Sequence, residues 1–225
     1  MTFHIVTLFP EVFEDYLKES IIGKAVKKGH IKVKFYDIRK FSKDKKHHKV
    51  DDKAYGGGPG MVLEVEPIIK AVNEAIKGKK QVKIILFSAG GGQFDSKMSK
   101  DLSKHKDIVM IAGRYEGVDE RIKKVLSDNG RKVEEISIGP YVLTGGEIPA
   151  MVLIDAVSRQ IKGVLGKNES LEEERYGVGV PVYTRPEVFK YKSKAYKVPK
   201  ELISGNHKTI AEWRRANKKK GPGTK

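Results

Sequence analysis

The sequence predicts an α/β domain built on a parallel sheet, followed by a short linker and a small, basic, helical domain. Three observations carry this. Short apolar runs alternate with segments of helical period up to about residue 161, the pattern of a parallel sheet with both faces covered. Glycine-punctuated loops follow several of those runs, at 88–93, 113–117 and 137–147. At Gly163 the alternation stops; an acidic, glycine-containing stretch follows, and lysine and arginine then dominate. The boundaries read this way are 1–162, 163–180 and 181–225.

Taken in order, residues 3–8 read as a buried strand. Pro10 opens a helix to about residue 18, since proline is tolerated in a first turn. A second helix spans 21–28. Ile31, Val33 and Phe35 alternate with Lys32 and Lys34, a half-buried strand. A basic loop then runs from 39 to 60 and ends in Gly56-Gly57-Gly58-Pro59-Gly60. A polar loop of about twenty residues inside a compact domain is uncommon unless it is functional or mobile. His47 and His48 lie in it and read as solvated residues, because sequence neighbours point different ways. Residues 66–77 read as a helix, with Ile69, Val72 and Ile76 at helical spacing, and 82–87 as a strand. Asp95 reads as the cap of the next helix. A strand at 108–112, a helix at 118–126, a strand at 133–138 and a helix at 149–161 complete the pattern. Near the C-terminus, Ser204-Gly205-Asn206 caps a helix that carries Ile210 and Trp213 on one face, with Trp213 as a core residue. Residues 218–225 read as a disordered tail.

Composition narrows the function. The 225 residues carry a formal charge of +16, which favours a polyanionic partner such as nucleic acid. The excess is concentrated: residues 186–225 hold twelve basic and three acidic side chains. Cysteine is absent, which excludes disulfides, thiolate nucleophiles and cysteine-based metal sites. No apolar run approaches membrane-spanning length, and the N-terminus lacks the pattern of a signal peptide. A cytoplasmic protein with no membrane partner is expected.

The loops at 113–117 and 137–147 lie where ligands sit in an open α/β sheet, outside the carboxyl ends of strands. Neither is a G-x-G-x-x-G or a phosphate-cradling loop with its lysine. No basic residue lies between Ser137 and Pro149, so phosphate fits poorly there. Backbone amides with Tyr141 and Leu143 suit a flat, uncharged heterocycle such as adenine. The alternative is a pair of tight turns that serve packing only.

Ile136-Ser137-Ile138-Gly139-Pro140-Tyr141-Val142-Leu143-Thr144-Gly145-Gly146-Glu147 resembles the cofactor loop of the TrmD family, the bacterial tRNA (guanine-N1)-methyltransferases. Further stretches are similar to family motifs in the family's order: Thr7-Leu8-Phe9-Pro10, Val50-Asp51-Asp52 with 55–61, 112–121, Asp155-Ala156-Val157 with Arg159, Tyr183-Thr184-Arg185-Pro186-Glu187 and Ser204-Gly205-Asn206-His207. The resemblance covers essentially the whole chain. It implies a SPOUT-type α/β domain with a trefoil knot, which general rules of chain topology would exclude. It also implies a homodimer with sites at the subunit interface, a C-terminal domain that grips tRNA, and bound S-adenosylmethionine. The residues implied to hold that cofactor are Leu86, Phe87, Ser88 and Ala89, then Gly113, Tyr115, Glu116 and Gly117. From the third loop come Ser137, Ile138, Gly139, Pro140, Tyr141, Val142, Leu143, Gly145 and Gly146, with Pro149 behind it. Mg²⁺ is implied as well, although no metal-ligand set stands out in the sequence.

The implied reaction moves a methyl group to N1 of the guanine at position 37, 3′ of the anticodon and preceded by another guanine. The family's arginine maps onto Arg159 and its catalytic aspartate onto Glu174, the same group on a longer stem; Glu172 and Glu173 are adjacent alternatives. Two other departures are Pro140, where the family has aspartate, and Ala89-Gly90-Gly91-Gly92, where it has a Pro-Gln-Gly type of turn. Arg185, Asn206, His207, Arg214 and Arg215 are candidates for tRNA contacts. Arg114 and Arg121 read equally well as structural ion-pair residues. Two other readings compete: an RNA-binding protein of this fold without catalysis, and a knotted methyltransferase acting on ribosomal RNA.

Overall fold

The computed structural model describes residues 1–166, 171 and 179–218. The chain divides into two compact units, Met1–Gly166 and Lys167–Lys225. In the first, five parallel strands form one sheet: β1 (Thr2–Thr7), β2 (Lys32–Asp37), β5 (Lys83–Gln93), β6 (Asp107–Ile111) and β7 (Val133–Ser137), in the order β2-β1-β6-β5-β7. Both faces are covered, as the near-continuous apolar runs require. Phe3, Ile5, Ile85, Ile108 and Met110 pack on one side with Phe13, Ile22, Leu102, Leu153 and Ile154. Those residues come from a 3-10 turn (Pro10–Phe13) and from α2 (Ser20–Lys27), α4 (Ser96–Leu102) and α6 (Glu147–Arg159). Between the turn and α2 stands the short α1 (Glu14–Lys18). Val6, Ile84, Val109 and Ile111 face the other way, against α3 (Val65–Ile76) and α5 (Arg121–Asp128). Asp95 caps α4, its carboxylate accepting from Met98 N at 2.7 Å.

On that second side β1 also buries His4, which shares hydrogen bonds with the Tyr36 hydroxyl (2.9 Å) and Asp107 Oδ1 (2.8 Å). Burial pushes the imidazole below its usual pKa, against the opposing effect of the Asp107 hydrogen bond.

The carboxyl edge of the sheet positions the site. β7 closes one edge, outside β5, yet the chain beyond it returns to the end of β6. Gly146 N donates to Gly113 O at 2.9 Å, and Arg114 bridges Gly145. This connection therefore crosses the carboxyl end of β5. The end of β5 runs the opposite way: past a break in its pairing at 88–91, Gly92 and Gln93 pair with Ile136 and Ser137 of β7. Gly91 lies so close to β7 that a Cβ there would stand 2.7 Å from the Ile136 amide nitrogen. Two connections thus cross at one sheet edge, an arrangement that chains ordinarily avoid.

The basic loop is more ordered than its composition suggests. A 3-10 turn (Ile38–Phe41) opens it, and β3 (Asp51–Lys53) pairs antiparallel with β4 (Met61–Leu63). Asp-Asp-Lys offers no apolar alternation, so nothing in the sequence marks β3 as a strand. The second unit holds the expected helix, α8 (His207–Ala216), preceded by a short α7 (Lys200–Ile203), and adds a hairpin of β8 (Val188–Tyr191) and β9 (Lys194–Lys197). Every residue of that hairpin is exposed; Phe189 and Tyr191 alternate with Lys190 and Lys192, but strands of four residues give only a short stretch of that signal. No helix of the described residues is long and apolar enough to cross a membrane.

Candidate functional site

Loops from the ends of β5, β6 and β7 enclose a cleft of about 400 Å³, within the range of small-molecule sites. Every expected cofactor residue except Pro140 borders it. Pro140 is exposed on the outside of the third loop while its neighbours Gly139 and Tyr141 line the cleft. The turn at Ser137 is held by its own side chain: the hydroxyl donates to Gly139 O (2.9 Å) and accepts from Gly139 N (3.2 Å). Tyr141 folds back over this turn, its hydroxyl donating to Ile138 O at 3.2 Å. Ser88 stabilises the first loop likewise, accepting from Gly90 N at 3.3 Å.

The middle loop is anchored on two sides. Glu116 N donates to Met61 O (3.0 Å) and Leu63 N to Gly117 O (3.0 Å), tying it to β4. Toward β1, Arg114 Nε lies 2.9 Å from Glu147 Oε2, and the Arg114 guanidinium sits over the Phe9 ring at 4.7 Å. Glu147 is 1% exposed and accepts a 2.7 Å hydrogen bond from Thr7 Oγ1. That hydroxyl in turn accepts from Phe9 N at 3.0 Å. Arg114 thus has the structural ion-pair role, at the cleft wall. Thr7 and Glu147 were not singled out as individual residues from the sequence; an acid opening a helix right after Gly145-Gly146 was the available signal. Arg121 forms a two-toothed ion pair with Asp119, which lowers the Asp119 pKa, and stays mostly exposed.

The charge of the cleft is unusual for a nucleotide site. Its lining residues include Glu116, Glu120 and Glu135, and its cation, Arg114, is already paired to Glu147. Lys123, outside the lining, pairs with Glu120 and Glu135. Glycine backbone with a negative balance disfavours phosphate and suits a cationic ligand that carries a neutral heterocycle.

Arg159 ends α6 and is half-buried. Glu172, Glu173 and Glu174 lie outside the described residues. In the second unit, Arg185, His207 and Arg215 are exposed, and Arg214 is half-buried. Asn206 is occupied as the cap of α8, its Oδ1 accepting from Lys208 N (3.0 Å) and Thr209 N (3.3 Å). Trp213 is half-buried and meets Tyr183 edge-on at 6.0 Å.

Comparison with known proteins gives one consistent answer. Residues 1–223 match the family model described as tRNA (Guanine-1)-methyltransferase TrmD. A tRNA (guanine-N(1)-)-methyltransferase of Dictyoglomus turgidum is 49% identical over 214 residues, 94% of this chain and 82% of that one. One from Clostridioides difficile is 46% identical over 220 residues, 96% of this chain and 91% of that one. The crystal structure of tRNA (m1G37) methyltransferase from Aquifex aeolicus superposes with a TM-score of 0.76 at 39% identity, covering 96% of this chain and 88% of that one. The crossed connections at the carboxyl edge are the trefoil knot of this SPOUT-type fold, here with a C-terminal unit that carries helices. The chain belongs to the TrmD family of tRNA (guanine-1)-methyltransferases.

Proposed function

We propose that the chain transfers a methyl group from S-adenosylmethionine to N1 of guanine 37 in tRNA, with a linker carboxylate as base and Arg159 facing O6. The observation that carries this reading is the chemistry of the knotted cleft: three glutamates, two of them paired to Lys123, no unpaired basic group among its lining residues, and glycine at the turns. That lining fits a sulfonium joined to adenosine far better than it fits a nucleoside phosphate.

S-adenosylmethionine, when bound, supplies a methyl group already activated on a sulfonium. The protein's part is positioning and proton management. N1 of neutral guanine carries a proton and is a poor nucleophile. Glu174, with Glu172 and Glu173 as alternatives, takes that proton; a positioned base contributes about 10²–10⁴ in rate. Arg159 offsets the negative charge that develops on O6. The guanine must leave its stack to reach the cleft. Among the described residues no group of three or more His, Asp or Glu is placed to hold the Mg²⁺ that the family resemblance implies.

A homodimer also belongs to this reading. Ile148 and Val152 form an exposed stripe on α6, 51% and 40% exposed. Beside them stand the exposed Val12 and Tyr16, the latter donating its hydroxyl to Asp155 of the same helix. Burial, then that hydrogen bond, raise the Tyr16 pKa. A second copy covering this stripe would bury these apolar side chains. A tRNA substrate places the enzyme in the cytoplasm.

The test is methyl transfer from labelled S-adenosylmethionine to an unmodified tRNA transcript with guanines at positions 36 and 37. The product is identified by nucleoside mass spectrometry. Wild type should yield 1-methylguanosine, and Glu174→Gln and Arg159→Ala should each lose about 10²-fold or more. Full activity in Glu174→Gln would move the base to Glu173 or Glu172. Binding of cofactor and tRNA without transfer would sink the enzyme reading.

A further inference from the structure

The hairpin of the second unit has a face that neither methyl transfer nor the packing of its own unit uses. Phe189 pairs with Tyr196 and Tyr191 with Lys194. Side chains alternate across a strand, so these four share one face. Phe189 and Tyr191 are nearly parallel, with centroids 6.4 Å apart and planes at 11°; Tyr196 lies 6.5 Å from Phe189. The three rings are 56%, 57% and 54% exposed. Lys192, in the turn, holds its ammonium 5.7 Å from the Tyr191 ring. Lys190 and Lys197 lie on the opposite face, and residues 188–197 include no acid.

Clustered exposed rings normally signal a partner. The chemistry here selects among partners. Protein interfaces are depleted of lysine at their cores, whereas this face interleaves aromatic rings with ammonium groups and carries no aliphatic side chain. Flat π surfaces beside cations match unpaired nucleic-acid bases and the phosphates that join them. We propose that the β8–β9 hairpin is a stacking platform for unpaired bases of the RNA substrate, separate from the guanine that is methylated. This rests on the tRNA reading above for the identity of the RNA, but not for the presence of the platform.

The test uses the full chain and two probes, the unmodified tRNA transcript and an unstructured single-stranded oligoribonucleotide. Phe189→Ala/Tyr191→Ala/Tyr196→Ala should weaken both by about tenfold or more, the scale of losing one stacked base. It should raise KM for tRNA and leave kcat and S-adenosylmethionine affinity unchanged. Tyr191→Phe/Tyr196→Phe keeps the rings and should bind as wild type. Tyr191→Ser spares the Phe189–Tyr196 pair that staples the strands, and should show a smaller loss without unfolding the hairpin. Lys192→Ala/Lys194→Ala should lower the slope of log affinity against log salt by about 1.5, a change the ring variants should not produce. Unaltered affinity of the triple variant for both probes would overturn the platform. So would its conversion from dimer to monomer at the same concentration, which would make this face a contact between copies. Ring-dependent binding of the oligoribonucleotide without methylation of the tRNA would instead leave the platform standing and remove the methyl-transfer reading.

Discussion

Gly145 and Gly146 sit in a packed crossing, whereas Gly56, Gly57 and Gly58 stand clear of everything. A Cβ on Gly146 would lie 2.6 Å from the Ala112 Cα, and one on Gly145 would lie 2.4 Å from Arg114 Nε and 2.6 Å from Glu147 Oε2. A Cβ on any of the other three would meet nothing within 4 Å, yet their φ angles are +90°, +81° and +107°. The first pair is glycine because of its neighbours, the run because of its own backbone. The difference separates a fixed wall of the cleft from the tip of a hairpin, held at its base by the pairing of β3 with β4 and by the ties of β4 to Glu116 and Gly117.

The comparison breaks most severely at Arg114, which fills the space that Gly145 leaves. Arg114→Leu strands the buried Glu147 carboxylate, 2% exposed at its side chain, with Thr7 as its hydrogen-bond donor. Removing one partner of a buried pair costs about 3–5 kcal/mol, which for a chain of this size lowers Tm by roughly 10 °C. Glu147→Gln in the same background should recover part of that loss in a thermal melt, because the stranded charge is gone. A next-smaller effect is expected for Gly146→Ala. Overpacking of this kind costs about 1–3 kcal/mol. Gly146 and Gly113 both border the cleft, so calorimetric titration with S-adenosylmethionine should show weaker binding alongside the lower Tm. A drop in Tm with full cofactor affinity would mean that the crossing and the cleft are mechanically independent.

The two glycine stretches also differ in how far sequence could read them. Alternating apolar runs made the parallel sheet legible, because burial on both faces leaves a near-continuous apolar signature in each strand. That the loops at 113–117 and 137–147 border one cleft was legible because each follows a strand of a parallel sheet, whose carboxyl ends lie together. The crossing itself was not. Nothing in the residues between Ile136 and Glu147 says that the chain passes β5 to reach Ala112, and topology rules argue the reverse; only resemblance to a family supplied it. The Thr7–Glu147–Arg114 chain escaped for a related reason, since it joins residues 140 positions apart. The β8–β9 hairpin escaped because its strands are four residues each, so the alternation of Phe189 and Tyr191 with lysines is brief and sits in a stretch that reads as basic and helical. Glu174 remains a matter of sequence, being outside the described residues.

The gentlest change tests the open side of the comparison. Gly57→Ala meets no neighbour, so its cost is the left-handed backbone alone, about 1 kcal/mol and a Tm lower by about 2–4 °C. Gly57→Asn should lose less, because asparagine enters that region more readily. Affinity for S-adenosylmethionine should match wild type in both, since the residue lies outside the cleft lining. Were Gly57→Ala to weaken cofactor binding as much as Gly146→Ala does, the run would be folded against the cleft in solution and would belong to its wall. Were it to leave Tm unchanged, the positive φ at Gly57 would not be enforced, and the run would be glycine for the sake of whatever it closes upon.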